Sequence, residues 1–278
     1  MTARADGEHA PVSGFGRITS NLGLWLSLIG RPRRAAAGRL LPPTLWLAGG
    51  TLLGVALIVA AMVALDGRGV GFARSLSPWV VDTFNEITDY GRSGWVLIPI
   101  ALVVAVAAVL ATPAVGRLAN GVLMSVVMRL EYIFLAVAVP GLIVTVLKGL
   151  VGRARPSDLG PFTYDPWTWS HKFASLPSGH GTSAFATAVA IGALWPRARP
   201  YMWTFAVVIG LSRVIITAHF VSDVIAGGLI GAFGAVLVRN WFAARRLVFV
   251  TGADGKTRAF PGPSWRRIKT VARRLVRQ

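Results

Sequence analysis

Residues 201–240 read YMWTFAVVIGLSRVIITAHFVSDVIAGGLIGAFGAVLVRN, and this stretch decides the fold. Its apolar character runs from Tyr201 to about Val238. As one helix rising 1.5 Å per residue it would be about 57 Å long, nearly twice the ~30 Å hydrocarbon core of a bilayer. Two antiparallel spans joined by a tight turn are therefore expected. The turn falls at Ile215 to Phe220, where a β-branched cluster, His219 and then Asp223 interrupt a lipid-compatible sequence.

Working outward, a spanning helix needs ~20 mainly apolar residues, and four more runs are read as spans. They are Thr44 to Leu65, closed by Asp66; about Gly94 to Thr112; about Tyr132 to Val151, with Lys148 in its last turn; and Gly181 to Trp195, ended by Pro196-Arg197-Ala198-Arg199-Pro200. Pro99 and Pro140 are tolerable kinks in membrane helices. The expected fold is all-α, a polytopic membrane bundle of about six transmembrane helices over residues 44–241. A tail at 1–43 carries a candidate interfacial helix, Leu22 to Ile29 with Trp25, and a basic tail occupies 242–278. Composition agrees, since 54% of the 278 residues are hydrophobic and 14% charged, far from a soluble domain. With no cysteine in the chain, disulfides, thiolate metal sites and a cysteine nucleophile are excluded.

The net charge of +18 lies mostly in the tails and in short connections. Arg31, Arg33, Arg34 and Arg39 precede the first span, Arg117 and Arg129 lie between the second and third, and Arg197 and Arg199 follow the fourth. By the positive-inside rule these ends face the cytoplasm. A multi-pass inner (plasma) membrane protein is expected, with cytoplasmic termini and with the loops at 66–93, 152–180 and 214–220 on the extracytoplasmic face. The C-terminal bases Arg239, Arg245, Arg246, Lys256, Arg258, Arg266, Arg267, Lys269, Arg273, Arg274 and Arg277 meet one acid, Asp254. They suit anionic headgroups, at ~1 kcal/mol per basic residue near the surface, better than the competing reading of a nucleic-acid arm, so no nucleic-acid partner is expected.

Ionisable groups at a span's end are costly and hence candidates for function. Lys148 and Arg155 are seven residues apart and share a face if the helix persists, with Pro156 ending it; simple snorkelling is the alternative, and Arg153 is assigned to it. Pro177-Ser178-Gly179-His180 opens the fourth span, where unpaired backbone N–H groups make an anion site, although Ser178 also reads as a plain N-cap. His180 there can donate a proton near neutral pH. Ser212-Arg213, His219 and Asp223 straddle the last turn. His219 and Asp223, four apart, share a face, so the carboxylate can accept the imidazole N–H and orient a nucleophilic nitrogen. A helix-start salt bridge is the bland alternative. A zinc pair is opposed by Lys148, Arg155 and Arg213 on the same side, so no metal and no cofactor are expected.

Topology puts all three clusters on one face, where bases, a serine and a helix N-terminus can hold phosphate oxygens while Arg213 adds a bidentate grip. In their order and spacing the clusters resemble the signature of the type 2 phosphatidic acid phosphatase superfamily. Lysine, six residues, arginine and proline fall on Lys148, Arg155 and Pro156; proline-serine-glycine-histidine falls on Pro177 to His180; serine-arginine, histidine and aspartate fall on Ser212, Arg213, His219 and Asp223. The resemblance implies a haloperoxidase-like helical fold with His219 as nucleophile, Asp223 supporting it and His180 as general acid. It further implies that Lys148, Arg155, Ser178, Gly179 and Arg213 bind the phosphoryl group. The implied activity is metal-independent hydrolysis of a lipid mono- or diphosphate through a phosphohistidine. Candidate substrates include undecaprenyl diphosphate and the anomeric phosphate of a lipid A-type glycolipid. Phosphotransfer to a lipid hydroxyl and, more remotely, lipid transport are the alternatives.

Two further segments are expected near the site. The loop Ser157 to Ser175, with Phe162, Tyr164, Trp167 and Trp169, suits the headgroup level, and Val80 to Trp95 is expected to form a second wall of the cleft. Glu131 is expected to make a surface pair with Arg129.

Overall fold

The computed structural model describes residues 14–33, 40–112, 116–157 and 159–276; Arg34, Arg39 and Arg277, counted above among the basic flanks, lie outside the described residues. The chain forms helices α1 (Gly14–Gly30), α2 (Thr44–Ala64), α3 (Asp66–Ser75), α4 (Pro78–Asp89), α5 (Gly94–Leu110), α6 (Arg117–Val151), α7 (Gly179–Leu194), α8 (Arg199–Ile215) and α9 (Val221–Ala244). A hairpin of β1 (Phe249–Thr251) and β2 (Thr257–Ala259) and a last helix α10 (Trp265–Val276) follow.

Each of the six apolar runs forms a helix, and the break between α8 and α9 occupies the expected turn. Among the described residues four stretches are long and apolar enough to cross a bilayer: Thr44–Ala64, Pro78–Leu110, Arg117–Val151 and Val221–Ala244. α7 has 16 residues and α8 has 17, short of the ~20 that a full crossing takes. α6 begins fifteen residues before the expected third span. The polar residues Arg117, Asn120, Ser125 and Arg129 dilute hydropathy over 117–131, and the Asn120-Gly121 dipeptide reads as a turn, yet the helix runs through it.

The apolar surface is turned outward. On α2, Leu45, Leu52, Leu53, Val59 and Val63 are all more than half exposed, which is unfavourable in water and suited to lipid. The interior is instead built from small residues, as expected where helices gain little from hydrophobic exclusion and must approach closely. α7 buries Gly181, Thr182, Ser183, Ala184, Ala186, Ala188, Ala190 and Gly192. Across from it, a Cβ on Gly227 would lie 2.3 Å from the Ser178 carbonyl oxygen, and one on Gly231 would lie 2.2 Å from that of Thr182. These two glycines, one helical turn apart, let α9 lie against the α7 backbone.

The end of the bundle away from the α6–α7 loop differs from expectation in three ways. The short hairpin adds to the helical bundle: Val248 and Phe249 are fully buried and Phe249 stacks edge-on against Tyr132, ring centroids 4.7 Å apart. Residues just past 241 are thus packed into the core rather than free tail. Trp25 is buried against the bundle and Asn21 Nδ2 donates to the Ala108 and Ala111 carbonyls, so α1 docks onto α5 instead of offering Trp25 to the interface. Glu131 is buried with Oε2 unpartnered, while Arg129 donates to Phe260 O at 2.9 Å; the expected Glu131–Arg129 pair does not form because the arginine ties down the tail.

Candidate active site

α6 ends at Gly152, which takes a left-handed conformation at φ +58 and donates its N–H to Lys148 O. A Cβ here would fall 1.8 Å from Asp165 O, so only glycine lets the 153–178 loop fold back onto the helix end. The return brings Asp165 N to Gly152 O at 2.7 Å and Ser175 N to Arg153 O at 3.0 Å. Lys148 Nζ donates to Ala174 O at 2.9 Å, using one of its three donors. Arg155 donates to His171 O and Ala218 O, each at 3.0 Å, which pins the loop to the α8–α9 turn.

These contacts gather Lys148, Arg155, Gly179, His180, Arg213 and His219 around one cleft of about 420 Å³. Arg213 donates from Nη1 to Thr88 Oγ1 at 3.0 Å, and its buried Nε has no hydrogen-bond partner. A desolvated N–H of a permanent cation is costly to leave unmade. Ser178 does not line the cleft. It is fully buried, and its Oγ accepts the Gly181 N–H at 3.3 Å as the N-cap of α7, so Gly179 and His180 present that helix start to the cleft. Ser212 is likewise internal, donating to Ile209 O at 2.7 Å.

The α4–α5 connection, through Gly91, Arg92 and Ser93, walls a groove beside this cleft. A Cβ on Gly91 would sit 2.5 Å from Ile209 Cγ2 and 3.1 Å from His180 Cδ2, so this turn presses directly on the histidine ring. This groove, of about 670 Å³, runs down between α5 and α6 past Leu97, Val137, Leu142 and Val144 and shares Lys148, Gly179 and His180 with the cationic cleft. A cationic pocket thus opens into an apolar channel.

His219 sits in the α8–α9 turn, 2% exposed. Its Nδ1 faces Asp223 Oδ2 at 3.7 Å, beyond hydrogen-bonding distance, which turns Nε2, across the ring, toward the cleft. Burial pushes the imidazole down to about 4, opposed by the Asp223 carboxylate and reinforced by Lys148 and Arg155. Asp223 is fully buried and saturated: Oδ2 accepts Ser175 Oγ–H at 2.6 Å and Phe220 N–H at 3.0 Å, and Oδ1 accepts Arg153 Nη1–H at 2.6 Å. Arg153, assigned from sequence to snorkelling, is instead fully buried. Its Nη2 donates to Asp66 Oδ2 at 2.7 Å, and its guanidinium lies 4.3 Å from the Phe220 ring centroid. Asp66, Arg153, Ser175 and Thr88 are the site residues that sequence reasoning missed. Asp66, an acid closing a span, was the available signal.

Among the described residues no three His, Cys, Asp or Glu side chains converge as metal ligands. A family model described as the PAP2 superfamily matches residues 129–247. The chain is 32% identical over 245 residues to a lipid A 1-phosphatase of Rhizobium johnstonii, covering 83% of this chain and 94% of the relative. It is 38% identical over 127 residues to a lipid A 1-phosphatase of Rhizobium etli, covering 45% of this chain and 55% of that relative. Among solved structures, Aquifex aeolicus LpxE aligns with a TM-score of 0.46 at 20% identity, over 63% of this chain and 94% of that one.

Proposed function

Because the chain belongs to the PAP2 superfamily, and is accordingly a membrane lipid phosphatase, we propose that it removes the anomeric phosphate of a lipid A-type glycolipid by metal-independent hydrolysis through a phosphohistidine. The observation that carries the reading is the junction of the cationic cleft with the apolar groove at Lys148, Gly179 and His180. A phosphate held in the cleft leaves its acyl chains in the groove, facing lipid.

In this reading Lys148, Arg155, Arg213 and the start of α7 hold the phosphoryl oxygens. His219 Nε2 attacks phosphorus as the bond to the sugar oxygen breaks, and His180 gives that oxygen its proton. Water then attacks phosphorus, the N–P bond breaks, and His180 takes the proton from water, so inorganic phosphate leaves and both imidazoles return to their starting states. Burial, then Arg213 and other nearby cations, pushes the His180 imidazole down to about 3, and the two negative charges of the bound phosphate oppose that shift. Arg117, Arg129, Arg197 and Arg199 cluster toward the helix ends away from the cleft, which supports cytoplasmic termini and an extracytoplasmic site. The outer face of α10, with Arg266, Arg267, Lys269, Arg273 and Arg274, then lies at the cytoplasmic headgroups.

The test is inorganic phosphate release in detergent with EDTA present, across lipid A-type 1-phosphates, phosphatidate and polyprenyl diphosphate, for the unmodified protein and His219→Ala. Release is expected from the glycolipid phosphate, unaffected by chelator and absent in the variant. Activity abolished by EDTA and restored by Zn²⁺ or Mg²⁺ would overturn the metal-free reading, and preference for another lipid phosphate would overturn the substrate assignment.

A further inference from the structure

Asp66, Arg153, Ser222 and Asp223 are all fully buried, and no motif named above includes Asp66 or Arg153. Arg153 lies between two carboxylates, Nη2 to Asp66 Oδ2 at 2.7 Å and Nη1 to Asp223 Oδ1 at 2.6 Å. Asp66 is held in turn by Ser222, whose N–H donates to Oδ1 at 2.9 Å and whose hydroxyl donates to Oδ2 at 2.6 Å. Two acids against one base leave this buried group with one negative charge, and the side of it nearest the cleft is Asp223, beside His219.

We infer that Asp66 is a positioning residue for the phosphatase reaction: it takes up the charge of Arg153 so that Asp223 meets His219 as an uncompensated carboxylate. The inference rests on the proposed role of His219 as nucleophile. When Nε2 forms its bond to phosphorus and the lipid oxygen departs, the ring, still carrying its Nδ1 proton, gains a positive charge. A neutral Arg153–Asp223 pair would do little for that charge in a buried site, whereas a net-negative triad balances it. Arg153 meanwhile fixes the Asp223 carboxylate from the side opposite the imidazole. Through Asp66 the start of α3 is thus tied to the chemistry, although it lies outside the cleft lining.

The test compares Asp66→Asn, the double variant Asp66→Asn/Arg153→Met and His219→Ala, all in detergent with melting followed in parallel. Asp66→Asn leaves Arg153 fully charged against Asp223, and kcat is expected to fall about 30-fold or more while KM and vanadate inhibition stay within about twofold, as for an interaction made only in the transition state. The double variant loses more hydrogen bonds but returns Asp223 to full charge, so its kcat is expected to rise about tenfold above that of Asp66→Asn; a purely structural role predicts the reverse order. The double variant removes one charge of each sign and keeps the net charge of the buried group, although Asp223 loses its Arg153 partner, so it also decides the matter if Asp66→Asn does not fold. Its kcat is then expected within about tenfold of the unmodified protein, and a deeper loss with the fold intact overturns the inference. So does an Asp66→Asn protein with normal kcat, or a double variant worse than the single. Activity surviving in His219→Ala instead refutes the nucleophile reading on which the inference stands.

Discussion

Ser175 Oγ lies 2.6 Å from Asp223 Oδ2 and 3.5 Å from His219 Nδ1. The serine hydroxyl therefore holds the short contact to the carboxylate that the i, i+4 spacing of His219 and Asp223 had pointed to, and the imidazole stands back at 3.7 Å. Asp223 consequently acts on the ring partly through Ser175. In the proposed mechanism the hydroxyl, donating to the carboxylate, turns its lone pairs to Nδ1–H, which would fix the proton on that nitrogen and keep Nε2 free for attack.

Ser175→Ala is expected to lower kcat about tenfold, the equivalent of one buried hydrogen bond of ~1.4 kcal/mol felt in the transition state, with KM within about twofold. Steady-state kinetics on a lipid phosphate checks this. A change confined to KM would show that Ser175 acts on binding and not on the imidazole.

Arg213→Lys keeps the charge but loses the planar fork. In the structure one arm of that fork is spent on Thr88 and the Nε edge is buried without a partner, so a lysine ammonium cannot satisfy both directions. Vanadate inhibition is expected to weaken by about 10–100-fold. An unchanged inhibition constant in the variant removes the guanidinium grip from the account.

The spans were legible because hydropathy reports lipid-facing length directly, and the α8–α9 turn was legible because about 57 Å of helix cannot fit a ~30 Å core. What escaped were buried contacts between residues distant in sequence and outside the motifs. Arg153 meets Asp66 and Asp223 across 87 and 70 residues, so its neighbours in the chain made it look like one more arginine at a helix end. Trp25 and Phe249 read as interfacial or tail residues because nothing local marks a partner such as Tyr132. The start of α6 was lost where polar side chains lower hydropathy without breaking helical hydrogen bonding. For the site, the motif spacing brought Lys148, Arg155, His180, Arg213 and His219 to one cleft, while Ser178 turned out to be spent on capping α7.

Gly231→Val is expected to destabilise the protein by ~3 kcal/mol and to lower activity in proportion to the unfolded fraction. The added Cβ meets a backbone carbonyl, Thr182 O, at 2.2 Å, and a backbone atom inside a helix cannot yield as a side chain can. α7 and α9 would separate, and with them His180 and the α8–α9 turn. Thermal melting in detergent reads the effect, and a melting temperature equal to that of the unmodified protein would show that the helices accommodate the methyl groups by sliding.

The acid limb of stability should carry the signature of His219. Its pKa is about 4 in the folded protein because burial opposes the imidazolium, against ~6.5 for an exposed histidine in the unfolded chain. Between those values the unfolded chain binds a proton at this position that the native state does not, so stability falls as pH drops from about 6.5 to about 4 and is level above that window for this residue. Nitrogen NMR of the imidazole should show His219 neutral at pH 6 without ligand. His219→Gln, which keeps the volume without the titration, should lose less melting temperature than the unmodified protein over the same window. If the two proteins lose it in parallel while the ring titrates near 6.5, His219 is not held neutral by its surroundings.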